Sequence, residues 1–118
     1  MKAYTDLEQS KRLAEFLPLE SADAHYWCKD GDDLRLGGGF SIDKDLDIPC
    51  WSLAALLGVL PSVIKRNGKR MFLTMEKAGA YNLYYKSTDR LDELWETKEE
   101  PIDAYVDMIE LLHELNLL

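Results

Sequence analysis

The sequence predicts one α+β domain over residues 1–118, in which a small antiparallel β-meander of three to four strands packs against three helices, the C-terminal helix being the longest. Three observations carry this expectation. Ile102, Tyr105, Val106, Ile109 and Leu112 recur at helical spacing and fall on one arc, the pattern of a helix laid on a core. Asn67-Gly68 separates two short runs of apolar and basic residues, and that pair tolerates the positive φ angles of a tight type I′ hairpin turn. Tyr81, Leu83 and Tyr85 alternate with Asn82, Tyr84 and Lys86, the period of a strand with one face buried. A chain of 118 residues that is 47% hydrophobic and holds three tryptophans has the material for a packed core.

In chain order, Thr5-Asp6-Leu7-Glu8 reads as a capping box, with the Thr5 hydroxyl and the Glu8 carboxylate satisfying otherwise unpaired amides. It opens a helix over about residues 6–16, with Leu7, Leu13, Ala14 and Leu17 on its apolar side and Pro18 as its stop. His25-Tyr26-Trp27-Cys28 is short and aromatic and suits a strand. Asp30-Gly31-Asp32-Asp33 reads as a turn, and Gly37-Gly38-Gly39 as the most flexible point of the chain. Ser52 is placed to cap a short buried helix with Leu53, Leu56, Leu57 and Leu60 on one stripe, ended by Pro61. The meander follows as Val63–Arg66, Lys69–Leu73 and Ala80–Lys86, with Lys77-Ala78-Gly79 as its second turn; residues 91–98 suit a short strand or a helical turn equally. Pro101 fits the first position of the closing helix, and Asp103 lies where the helix dipole favours a carboxylate.

Charge is the most informative compositional feature. Residues 1–88 carry twelve acidic and twelve basic side chains, whereas residues 89–118 carry ten acidic against Arg90 and Lys98 alone, so the net charge of −8 resides in the last quarter. Phosphate contact relies on Lys and Arg displacing counterions, so the charge argues against a nucleic-acid partner at that end. On the closing helix, Asp103, Asp107, Glu110 and Glu114 form an arc with no basic residue between them. Past the first turn the dipole gives such residues no support, and like charges three or four apart repel by a few tenths of a kcal/mol each. A solvated face is the plain structural account. A docking face for a protein partner with a basic surface is the functional one.

Several chemistries are argued against. Gly37–Gly39 lacks the Gly-Lys-Ser or Gly-Lys-Thr ending of a phosphate-binding loop, and Gly39-Phe40-Ser41-Ile42-Asp43 misses the second glycine of a hydrolase elbow. Asp43, Asp45 and Asp47 alternate like calcium ligands, but Ile48 stands where a glycine is needed and Ala54 where a glutamate is, so a solvated acidic loop is expected. His25, Cys28, Cys50 and His113 include only one closely spaced pair, His25-x-x-Cys28, too little for a structural zinc site. A small enzyme or ligand-binding protein with a Cys/His pocket, using Cys50, His25 or His113, remains the alternative reading; the helical period puts His113 on the apolar side, partly buried. No cofactor and no metal is called for. The basic hairpin tip, Lys65, Arg66, Lys69 and Arg70, is the one place suited to an anionic ligand, and nucleic-acid binding there is a further alternative. From Ser52 onward the element order matches that of double-stranded RNA-binding domains, yet Lys98-Glu99-Glu100-Pro101 stands where those domains carry lysines. Lysines on an edge strand also prevent unwanted pairing.

No run reaches the roughly 20 apolar residues of a membrane span, and the first residues lack a secretion signal, so the reducing cytoplasm is the expected compartment.

Thr5 to Asp23, Ile48-Pro49-Cys50-Trp51-Ser52-Leu53 through Leu60-Pro61, and Pro101-Ile102-Asp103-Ala104 with Met108-Ile109 and Leu112-His113-Glu114 together resemble a group of short uncharacterised proteins common in gut bacteria of the Bacteroides type and often carried by prophages and other mobile elements. The resemblance implies no activity and carries over no catalytic or binding residue; the concentrated charge of residues 89–118 motivates the expectation of an accessory protein of a mobile element. The expected function is therefore non-enzymatic binding, with the acidic face of the last helix as the contact surface.

Overall fold

The computed structural model describes residues 1–27, 34–36, 43 and 46–118. Expectations placed on Cys28, Asp30 to Asp33, Gly37 to Gly39 and Asp45 lie outside these residues. The fold is α+β, with three α-helices and two antiparallel sheets of three and four strands among the described residues, the C-terminal helix being the longest. The chain divides into two compact units, Met1–Val59 and Leu60–Leu118.

In the first unit, α1 (Leu7–Ala14) begins one residue later than the sequence suggests. Its cap is Asp6, whose Oδ1 accepts from Gln9 N at 2.8 Å while Gln9 Oε1 accepts from Asp6 N at 3.0 Å. Thr5 is diverted to a tertiary task. Fully buried, its hydroxyl oxygen accepts from Trp51 N at 3.1 Å and lies 2.8 Å from Ser10 Oγ, and its own N–H donates to the Trp51 carbonyl at 2.9 Å. A 3-10 turn, Leu19–Ser21, follows Pro18, and Ser21 Oγ accepts from the Trp51 indole N–H at 2.9 Å. Trp51 is thus buried with its amide, carbonyl and indole nitrogen all satisfied, as a large polar-edged side chain in a core requires.

The three-stranded sheet runs β2 (Leu34–Leu36), β1 (Ala24–Tyr26), β3 (Ile48–Cys50) in spatial order. The strand expected at residues 25–28 appears one position earlier, and β2 and β3 are additions: three residues hold too little periodicity to be seen in sequence. Pro49 is tolerated because β3 lies at the sheet edge. The helix α2 (Leu53–Val59) is capped as expected, with Ser52 Oγ accepting from Ala55 N at 3.2 Å. Asp23 fixes that cap by accepting from both the Ser52 N–H, at 2.9 Å, and the Ser52 hydroxyl. Within α2 only Leu56 is buried and Leu57 is 41% exposed, so this helix is half-exposed rather than buried.

The second unit is the expected meander, now with four strands: β4 (Val63–Arg66), β5 (Lys69–Ala78), β6 (Ala80–Ser87) and β7 (Glu93–Lys98), each beside its sequence neighbour. Asn67 and Gly68 have φ of 54° and 75°, as a two-residue type I′ turn demands, and Gly79 at φ 75° makes the next reversal. Residues 93–98 are a strand. The connection into it is closed by Asp89, whose Oδ1 accepts from Ser87 Oγ at 2.5 Å and Leu91 N at 3.0 Å, with Arg90 at φ 62°. Ile64, Met71, Leu83, Tyr85 and Leu94 form the buried face of this sheet, and α3 (Pro101–Glu114) packs on β6 and β7. The Tyr85 hydroxyl donates to the Pro61 carbonyl at 2.6 Å. On α3, Pro101, Ile102, Ala104, Tyr105, Val106, Met108, Ile109 and Leu112 are buried, which leaves the acidic arc as the side turned to solvent. His113 corrects an expectation: it is exposed, because burial along α3 ends at Leu112.

Candidate functional site: an acidic cleft beside the last helix

The sheet register decides what joins the acidic arc. In β7, Leu94 and Glu96 point to the same side, the side on which α3 lies, so Glu96 reaches the helix margin. Glu96, Asp107, Glu110 and Glu114 line one shallow open cleft of about 260 Å³, with Leu111 as its apolar member. Asp103, one turn earlier, is half-buried and is not part of that lining. Three of the four helix carboxylates expected to act together therefore share a cleft, with a fourth supplied by a strand.

Electrostatics within the cleft follow from this crowding. Glu96 holds its proton more tightly than an ordinary glutamate, first because burial disfavours its charged form and second because the Asp107 carboxylate is near; Lys98 opposes the shift. Lys98 Nζ lies 3.3 Å from Asp107 Oδ2. Elsewhere in the acidic quarter, Lys69 pairs with Asp89 at 2.8 Å and Asp92 at 3.2 Å, and Lys86 with Glu93 at 3.4 Å. Part of the surplus is therefore offset by lysines of the same unit, Lys98 among them at the cleft itself. Among the described residues no group of three or more His, Cys, Asp or Glu side chains is arranged to hold a metal ion. The carboxylates are spread along a surface rather than converging on a point.

At the hairpin tip, Lys65 stands opposite Arg70 and Arg66 opposite Lys69. Lys69 raises its affinity for its proton by hydrogen bonding to Asp89 and then Asp92, so its charge is already matched within the unit. Lys65 and Arg70 are exposed. The fourth tip residue, Arg66, is half-buried.

Among the described residues, Cys50 is not set up as a nucleophile. Cys50 is fully buried, and burial, with a smaller contribution from Asp23, pushes its thiol up to about 12, so the nucleophilic thiolate is scarce at neutral pH. His25 is buried with Nε2 3.8 Å from Asp47 Oδ2. Asp47 was expected in a solvated loop but is 6% exposed, held by the Asp43 N–H at 3.1 Å. A pocket of about 240 Å³ lies between the β5–β6 hairpin and α3, lined mainly by Met75, Tyr81, Leu83, Ala104 and Tyr105, with the Tyr105 hydroxyl directed at the Met75 sulfur.

Glu96 is the site residue that sequence reasoning missed. Its signal was the period-two relation to Leu94, usable only once residues 93–98 were known to be a strand. No helix among the described residues is long and apolar enough to cross a membrane. No protein-family model matches this chain, and neither the curated proteins nor the solved structures contain a match to it.

Proposed function

We propose that the protein is a non-enzymatic binding module, an accessory protein of a mobile element, that engages the basic surface of a protein partner through the acidic cleft of Glu96, Asp107, Glu110 and Glu114. The observation that carries this reading is that four carboxylates, one from a strand and three from a helix, line one open surface. Four like charges gathered there repel one another, a cost that a cationic partner relieves on docking. The open, extended form of the cleft suits several Lys or Arg side chains better than one small ion, and the field of the acidic quarter accelerates encounter with a positive surface.

A lysine- and arginine-rich peptide, titrated at low and high salt, tests the proposal. Wild-type protein binds it in a salt-sensitive way, and the triple variant Asp107→Lys, Glu110→Lys, Glu114→Lys does not. The control changes net charge equally at another place, Glu8→Lys, Glu15→Lys, Glu20→Lys, and retains most of the binding. Equal losses from the two triple variants would mean that only net charge matters, and the cleft would have no special role.

A further inference from the structure

The second unit has another exposed surface, independent of the acidic cleft: the side of the four-stranded sheet turned away from α3. Cross-strand register places Lys65 opposite Arg70, Phe72 opposite Lys86, and Tyr84 opposite Trp95 on that face. Phe72 is 40% exposed and Trp95 44%, large apolar areas for an outer sheet face. Tyr84 and Trp95 are stacked, with centroids 4.6 Å apart and planes 5° from parallel.

This aromatic pair is held in place before any ligand arrives. The Trp95 indole N–H donates to Thr97 Oγ1 at 2.5 Å, and the Thr97 hydroxyl donates to Asn82 Oδ1 at 2.8 Å, so the polar edge of the indole is satisfied and its orientation fixed. One indole face lies on Tyr84. The other looks beyond β7, which is the edge strand. A flat ring whose rotamer is already locked loses little entropy when a second flat ring stacks on it.

Charge selects among possible occupants. Lys65 and Arg70 have no ion-pair partner among the described residues, whereas Glu93 is matched by Lys86, which also lies 5.2 Å from the Tyr84 ring centroid. Glu76 is the remaining carboxylate of the face. The face is thus basic and aromatic, while the surplus carboxylates of the chain gather beside α3. A second copy applied face to face would bring together two surfaces on each of which Lys65 and Arg70 outnumber Glu76, a two-fold contact with a surplus of like charge. A duplex keeps its bases stacked on each other and cannot offer them to Phe72 or Trp95.

We infer that the outer face of the β4–β7 sheet binds single-stranded nucleic acid, with bases stacked on Trp95 and Phe72 and phosphates held by Lys65 and Arg70. The general acidity of the chain does not prevent this, because over distances beyond about 10 Å salt screens the carboxylates of the other face.

Fluorescence anisotropy of a labelled oligothymidylate, titrated with the full chain at about 0.1 M salt, tests the inference against the same measurement on a duplex of equal length. Saturable binding to the single strand, at least about tenfold tighter than to the duplex, is expected. Trp95→Ala weakens it roughly tenfold and Trp95→Tyr restores most of the loss, since any exposed aromatic ring can stack. Lys65→Ala with Arg70→Ala lowers the slope of log affinity against log salt by roughly 1.4, the release expected for two phosphates of a single strand. Circular dichroism of each variant checks that it is folded. No saturable binding, equal binding to duplex, or binding indifferent to Trp95→Ala would overturn the inference, as would a concentration-dependent dimer that Trp95→Ala abolishes.

Discussion

The Lys98 ammonium lies 3.3 Å from the Asp107 carboxylate, linking the last residue of β7 to the second turn of α3. This bridge bounds the acidic cleft, since it supplies one positive charge where Glu96, Asp107, Glu110 and Glu114 gather.

Removing that charge should affect binding more than folding. Both side chains are partly solvated, so the pair contributes little, and Lys98→Ala is expected to change unfolding free energy by less than about 0.5 kcal/mol. The same substitution strengthens low-salt binding of a Lys- and Arg-rich peptide, measured by calorimetric titration. Weaker binding in Lys98→Ala would contradict the role assigned to the cleft.

Glu96 gives a prediction with a definite sign. Its affinity for a proton is higher in the folded chain than in the unfolded one, through burial and then the Asp107 charge, so folding is penalised once the group ionises. The penalty is absent below the ordinary glutamate range, grows as pH rises through the raised folded value, and is complete at neutrality. Glu96→Gln is therefore expected to raise the melting temperature at pH 7, by the equivalent of a few tenths of a kcal/mol, and to lose that advantage in acid. Parallel melting curves across pH would reveal it, and a destabilised variant at neutrality would refute the account.

Asp89 has the opposite sign. Hydrogen bonds from Lys69, then Ser87 and the Leu91 amide, hold its carboxyl well below the usual aspartate range. Stability from this group is present above the unfolded pKa and is lost as pH falls through the depressed folded one. Asp89→Asn should lower the melting temperature near neutral pH, and the difference from wild type should shrink as the solution becomes strongly acid.

Thr5 accounts for a long-range tie in the first unit. With the hydroxyl replaced in Thr5→Val, the buried Trp51 N–H loses its acceptor at 3.1 Å and Ser10 Oγ its neighbour at 2.8 Å. An unsatisfied buried donor costs about 1–3 kcal/mol, and denaturant unfolding is expected to show a loss of that size. Thr5→Ser, which keeps the oxygen, should recover most of it.

Gly68 isolates backbone conformation from packing. A Cβ built there meets nothing within 4 Å, yet φ is 75°, so Gly68→Ala is expected to destabilise by about 1 kcal/mol through strain alone. Exchange of the Arg66 and Lys69 amides, measured by NMR, should quicken relative to amides of α1.

Reading along the chain predicted elements whose information is local. The Asn67-Gly68 turn, the alternation of Tyr81, Leu83 and Tyr85, and the apolar arc from Ile102 to Leu112 each repeat a physical period often enough to be recognised within one segment. Three-residue strands do not, which is why β2 and β3 were invisible, and residues 93–98 were ambiguous because Leu94 and Glu96 define only one buried position between them. Cap competition was hidden as well: Thr5 and Asp6 both suit an N-cap, and only the distant Trp51 amide removes Thr5 from the choice. By itself the sequence determined the α+β class, the hairpin and the acidity of the closing helix, since these rest on spacing and composition. Tertiary structure decided that Glu96 joins that acidity, that Lys69 is diverted to Asp89 and Asp92, and that Trp95 stacks on Tyr84, because each depends on strand register, which brings together residues that no local pattern connects.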